Sequence, residues 1–135
     1  MPAAPPGGAR APTADEIERI GQAALDALPE PFRSHVRSVP IRVQDFPDEE
    51  TERDMELESP FDILGLYRGV PLGHDAELGP PRADVDMIFL YRRPILDRWC
   101  ETGETLEDIV RDTLLHEIGH HFGMDEDDLE RIGLG

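Results

Sequence analysis

Residues 106–123 read LEDIVRDTLLHEIGHHFG, and this stretch decides how the rest of the chain is understood. Leu106, Ile109, Val110, Thr113, Leu114, Ile118 and His121 fall at i, i+3, i+4, i+7 spacing, the buried face of an amphipathic helix. Thr105 offers an N-cap hydroxyl, and Glu107 and Asp108 follow at the positive end of the helix dipole. Gly123 suits the left-handed residue that stops a helix. The spacing predicts a helix over 106–122. Inside it, His116-Glu117-Ile118-Gly119-His120 has the form H-E-x-x-H. Residues i and i+4 lie one above the other on a helix face, so two imidazoles can reach one tetrahedral cation at about 2.0–2.1 Å. Glu117 is rotated about 100° from His116 and stands beside such a cation without ligating it. There it can take a proton from an activated water and pass it to a leaving amine. Chance would supply the pattern only about 0.02 times in a chain of this His and Glu content.

A third ligand is expected after the Gly123 turn. Extending the zinc pattern to H-E-x-x-H-x-x-G-x-x-ligand puts it ten residues after His116, at Glu126; Asp125 is the nearest competitor. His121 points away from the His116/His120 face, so a core or supporting role is expected for it.

Working outward, Thr13-Ala14-Asp15-Glu16 has capping-box form ahead of Ile17, Ile20, Ala24, Leu25 and Leu28, and Pro29 closes that helix. Residues 1–12 are Pro, Ala and Gly with one Arg and read as a disordered tail, leaving a single domain over 13–135. A short helix is expected within 31–38. Val39, Ile41 and Val43 alternate with polar or Pro positions as in a half-buried strand, with Pro40 suited to a strand start or an edge. Residues 63–67, ILGLY, form a second strand candidate, and 85–91, VDMIFLY, the strongest one. Pro94 suits the first turn of a helix reaching about Cys100, and residues 127–132 a terminal helical turn. Residues 45–62 hold nine acids and one Arg and are expected to be a solvated loop, with a cation-binding patch as the alternative. Residues 73–83 read as another loop.

Composition narrows the function. The 135 residues carry 13 Arg, no Lys and 30 acids, a net charge of −17. That field opposes nucleic acid and anionic membrane surfaces. No apolar run approaches the roughly 20 residues of a membrane span. The lone Cys100 excludes an intramolecular disulfide framework and is expected to be a small buried apolar residue. The first residues lack the apolar core of a secretory signal, so a cytoplasmic domain is expected.

Residues 116–129, HEIGHHFGMDEDDL, resemble the active-site segment of the small bacterial zincin-like metallopeptidases, whose motif is usually HExxHxxGxxD. Residues 63–72, ILGLYRGVPL, and 88–95, IFLYRRPI, are also similar to segments of that family. The resemblance implies an α+β zincin-like fold, a small mixed sheet flanked by helices, with the site between the motif helix and an edge strand. It implies His116 and His120 as zinc ligands, Glu117 as general base and Gly123 as the turn. Position 126 departs from the pattern, holding Glu where the family has Asp.

Two function classes follow. The first is a zinc-dependent peptidase acting on extended peptide or protein segments laid along an edge strand, either 85–91 or 63–67, with acidic substrates repelled. The second is a non-catalytic, zinc-stabilised protein-binding module; Glu117 argues for the enzyme, since a structural site has no use for a carboxylate there. Tyr67 and Tyr91 are minor candidates for oxyanion donors, with strand packing the favoured role. Arg92 and Arg93 are expected in ordinary ion pairs.

Overall fold

The computed structural model describes residues 10–30, 32–71, 84–123, 127 and 131. Helix α1 (Ala14–Asp26) begins where the capping pattern places it: Thr13 Oγ1 accepts from the Glu16 N–H at 3.2 Å. Ile17, Gly21 and Leu25 form its buried face. After a short helix α2 (Phe32–Val36), strand β1 (Ile41–Gln44) starts directly behind Pro40, whose carbonyl accepts from the Ile88 N–H. The carbonyl of proline can join a ladder although its nitrogen cannot, which is why the strand opens there.

The acidic stretch is not simply a loop. Glu49–Asp54 form helix α3, capped by Asp48, whose carboxylate accepts from the Thr51 N–H at 2.8 Å. Glu49, Glu50 and Glu52 crowd the first turn, where the dipole favours negative charge. Thr51, 3 % exposed, is the helix's inward residue. Its hydroxyl accepts from Arg68 Nη1 at 3.3 Å. Polar contacts, rather than an apolar stripe, hold this helix.

Strands β2 (Gly65–Pro71) and β3 (Asp84–Tyr91) complete a three-stranded sheet of order β1-β3-β2. β1 runs parallel to β3, and β2 antiparallel. β3 is therefore central, which corrects the expectation that 85–91 could serve as an edge; β2 is an edge and begins two residues later than its apolar run suggests. Pairing of Ile41 with Ile88 and of Ile88 with Tyr67 puts Ile41, Val43, Tyr67, Ile88 and Leu90 on one face. That face meets α1 and α5 (Leu106–His121).

Helix α4 (Arg92–Thr102) follows β3 directly, with Pro94 in its first turn. It packs Ile95 and Leu96 inward and turns Trp99 and Cys100 to solvent. Cys100 is thus a surface thiol, not the core residue expected. Arg92 pairs with Asp45 at 3.4 Å and donates to the Pro12 carbonyl at 2.8 Å, while Arg93 lies over the Phe46 ring. The loop expected at 73–83 lies outside the described residues, as does residue 1–9 of the tail. No helix among the described residues is long and apolar enough to cross a membrane.

Candidate metal centre

Helix α5 carries the H-E-x-x-H residues and is fixed before they are reached. Thr105 Oγ1 accepts from the Asp108 N–H at 3.1 Å. Leu106, Ile109, Val110, Leu114, Leu115, Ile118 and Gly119 are buried. This face is wider than the single stripe expected, because α5 is covered by α1, α4 and β2 together. Leu115 and Gly119 join it, Thr113 is half-buried, and His121 is exposed rather than in the core.

His116 and His120 project one turn apart, with ring centroids 6.5 Å apart and planes at 73°. His116 Nδ1 lies 2.8 Å from the Asp112 carbonyl oxygen. A carbonyl can only accept, so Nδ1 carries the proton and the lone pair resides on Nε2. A backbone carbonyl on one ring nitrogen is the usual partner of a ligating imidazole, fixing its tautomer and orientation. The donor chemistry of the pair therefore fits a borderline-soft divalent cation such as zinc.

Glu117 is turned off the histidine face toward β2. Its Oε1 accepts from the Tyr67 backbone N–H at 3.3 Å. Hydrogen-bonded and non-bonded positions alternate along an antiparallel pair. The Ile88 N–H is used by Pro40, so Tyr67, opposite Ile88, presents its own backbone groups to the free edge. Burial raises the Glu117 carboxyl above its ordinary value; the Tyr67 N–H and the two histidines oppose that rise. The carboxyl is held between helix and strand in an environment that favours the protonated form.

The close crossing of β2 and α5 depends on Gly65. A Cβ there would stand 2.7 Å from Thr113 Cγ2 and 2.9 Å from the Phe89 carbonyl oxygen, so only glycine fits. Beside the crossing lies a cavity of about 420 Å³ bounded by Asp62, Leu64, Arg98, Glu104, Asp112, His116 and Glu117. His116 and Glu117 thus line the same cavity as the Arg98–Glu104 ion pair at 3.1 Å.

The two tyrosines singled out by sequence sit in packing roles. The Tyr67 hydroxyl donates to Asp86 Oδ2 at 3.2 Å, and burial, with Asp86 adding, pushes the phenol up to about 12. Burial likewise pushes Tyr91 up to about 12. What sequence reasoning missed is the backbone of Tyr67 as the partner of Glu117. The glycine within the strand run was the available signal, since such a residue marks a close backbone approach.

Gly123 has φ 74°, the left-handed stop expected of it. Glu126 and Asp125 lie outside the described residues, as does most of the terminal turn at 127–132. Among the described residues, no group of three His, Cys, Asp or Glu side chains converges as a metal set.

A mixed three-stranded sheet, with an H-E-x-x-H helix laid across its edge strand, defines a minimal α+β protein of the zincin class. The chain belongs to the zincin-like metallopeptidase family, whose model matches residues 36–135. No curated protein sequence matches it. The matched span takes in β1 to the end of α5 and leaves out α1, although α1 packs against both β1 and α5.

Proposed function

We propose that the chain is a zinc-dependent peptidase in which Glu117 moves the proton. The observation that carries this reading is the position of Glu117: beside two histidines, half-buried, and held by an outward-facing N–H of an edge strand. His116 and His120 would hold the zinc ion, with Glu126 as third ligand and Asp125 as the competing choice. When bound, zinc supplies Lewis acidity and lowers the pKa of water toward neutrality.

The chain's own groups do the rest. Glu117 accepts a proton from the attacking water and delivers it to the departing amine; burial, which raises its carboxyl above the ordinary value, strengthens it as the base in the first transfer. The free edge of β2 offers the backbone groups of Gly65 and Gly69 and the Tyr67 carbonyl to an extended peptide, the Tyr67 N–H being taken by Glu117. A side chain of that peptide enters the cavity beside Glu117. The net charge of −17 steers neutral or basic segments in and repels acidic ones.

The test is hydrolysis of a quenched-peptide library by zinc-loaded protein, followed by chelation and readdition of zinc. Cleavage that stops with chelation and returns with zinc supports the reading. Stoichiometric zinc uptake with no cleavage of any peptide would favour the protein-binding module instead.

A further inference from the structure

His120 belongs to the last turn of α5, where the Phe122 and Gly123 N–H groups cap the Gly119 and His120 carbonyls but no further turn of helix holds the end against the sheet. His120 and His121 are both exposed, so apolar burial does not hold them. His121 instead lies flat on Tyr67, with centroids 4.0 Å apart and planes at 23°. Tyr67 is itself immobilised: its ring is buried in the sheet face and its hydroxyl donates to Asp86 Oδ2. The same carboxylate oxygen stands 3.8 Å from His121 Nε2. Phe122 extends the contact, meeting His121 edge-on at 5.2 Å and Phe32 of α2 at 6.0 Å. Tyr67 thus touches the site twice. Its N–H holds Glu117 and its ring holds the residue next to His120.

We propose that the Tyr67–His121 stack is the positioning element of the metal site, clamping the end of α5 to the edge strand. Through it, His120 keeps a set orientation relative to Glu117. Both are positioning residues: the ring of Tyr67 and the imidazole of His121 act through His120 and reach neither the ion nor the substrate. The idea rests on the metal reading above but goes beyond it, since a helix can carry H-E-x-x-H without any such clamp.

The experiment is competitive zinc titration against a chromogenic chelator, with melting of each metal-free variant recorded alongside. His121→Ala and Tyr67→Leu should each weaken zinc about tenfold, the scale on which partners of metal ligands act. The double variant should be no weaker than either single one, because both remove one contact. His121→Phe and Tyr67→Phe keep a ring on each side and should stay within about twofold of the parent. Should His121→Ala fail to fold, His121→Gln keeps the bulk without the ring and carries the same expectation. Parental affinity in His121→Ala or His121→Gln, or losses that multiply in the double variant, would overturn the clamp while leaving the metal site standing. A parent protein that takes up no zinc would overturn both.

Discussion

The two ends of α5 are built on different principles. From Leu106 to Leu115 the helix is anchored by aliphatic side chains packed against α1, α4 and β2. From His120 to Phe122 it is held by a ring stack, the edge contact of Phe122 with Phe32 and the bond from the Tyr67 N–H to Glu117 one turn earlier. The first half supplies folding energy and tolerates no loss of volume; the second supplies orientation at little cost in burial. A site needs polar, reachable atoms, which the hydrophobic effect cannot hold in place. Directional contacts do that instead.

The largest effect that separates the halves is expected at Leu114, 1 % exposed in the centre of the first. Leu114→Ala should cost about 2–5 kcal/mol of unfolding free energy in urea. Zinc affinity measured on the folded fraction should be unchanged. A loss of affinity without a loss of stability would erase the distinction.

Beyond the second half, Glu126→Ala should weaken zinc on the order of a hundredfold or more, and Asp125→Ala far less, with neither altering the melting point of the metal-free protein much. Glu126→Asp should retain zinc. Chelator competition on the three variants decides which acid ligates, and a loss confined to Asp125→Ala would move the ligand by one residue.

A smaller effect sharpens the contrast at the start of the helix. Thr105→Ala removes the acceptor for the Asp108 N–H and should cost about 1 kcal/mol, read by denaturant unfolding, with zinc affinity intact.

The smallest expected effect is a pH dependence. Burial raises the Glu117 carboxyl in the folded, metal-free protein, so the fold favours its protonated form. That contribution is complete below the ordinary value of 4.5 and is lost as pH rises through the raised one. Glu117→Gln cannot ionise. Its melting temperature should therefore gain on the parent's as pH rises above the ordinary value of 4.5. A gap that narrows over that range would mean the carboxylate is stabilised, not penalised, where it sits.

The contrast also explains what could be read in advance. α1 and α5 were legible because their caps and apolar spacing are local, and the histidine pair because a helix fixes i and i+4 by its own geometry. α3 was not, since its inward residue is Thr51 and its partner, Arg68, arrives from a strand far along the chain. Local spacing also could not say that β3 is central and β2 an edge; that follows from which strands pair. β2 starts two residues after its apolar run begins because Ile63 and Leu64 line the cavity wall, with only the Leu64 carbonyl reaching the Tyr91 N–H. His121 fell at a position that helical spacing assigns to the core, yet its partner is a tyrosine on the sheet edge. Contacts of that kind leave no periodic trace.

The central claim is that Glu117 carries the proton and does not bind the metal. The most direct measurement compares peptide hydrolysis by parent and Glu117→Gln, each assayed at its measured zinc content. The account predicts equal zinc content in both and a fall in kcat of at least about a hundredfold in the variant, the scale of a lost general base. Zinc lost together with activity would make Glu117 a ligand, and full activity in the variant would contradict the account outright.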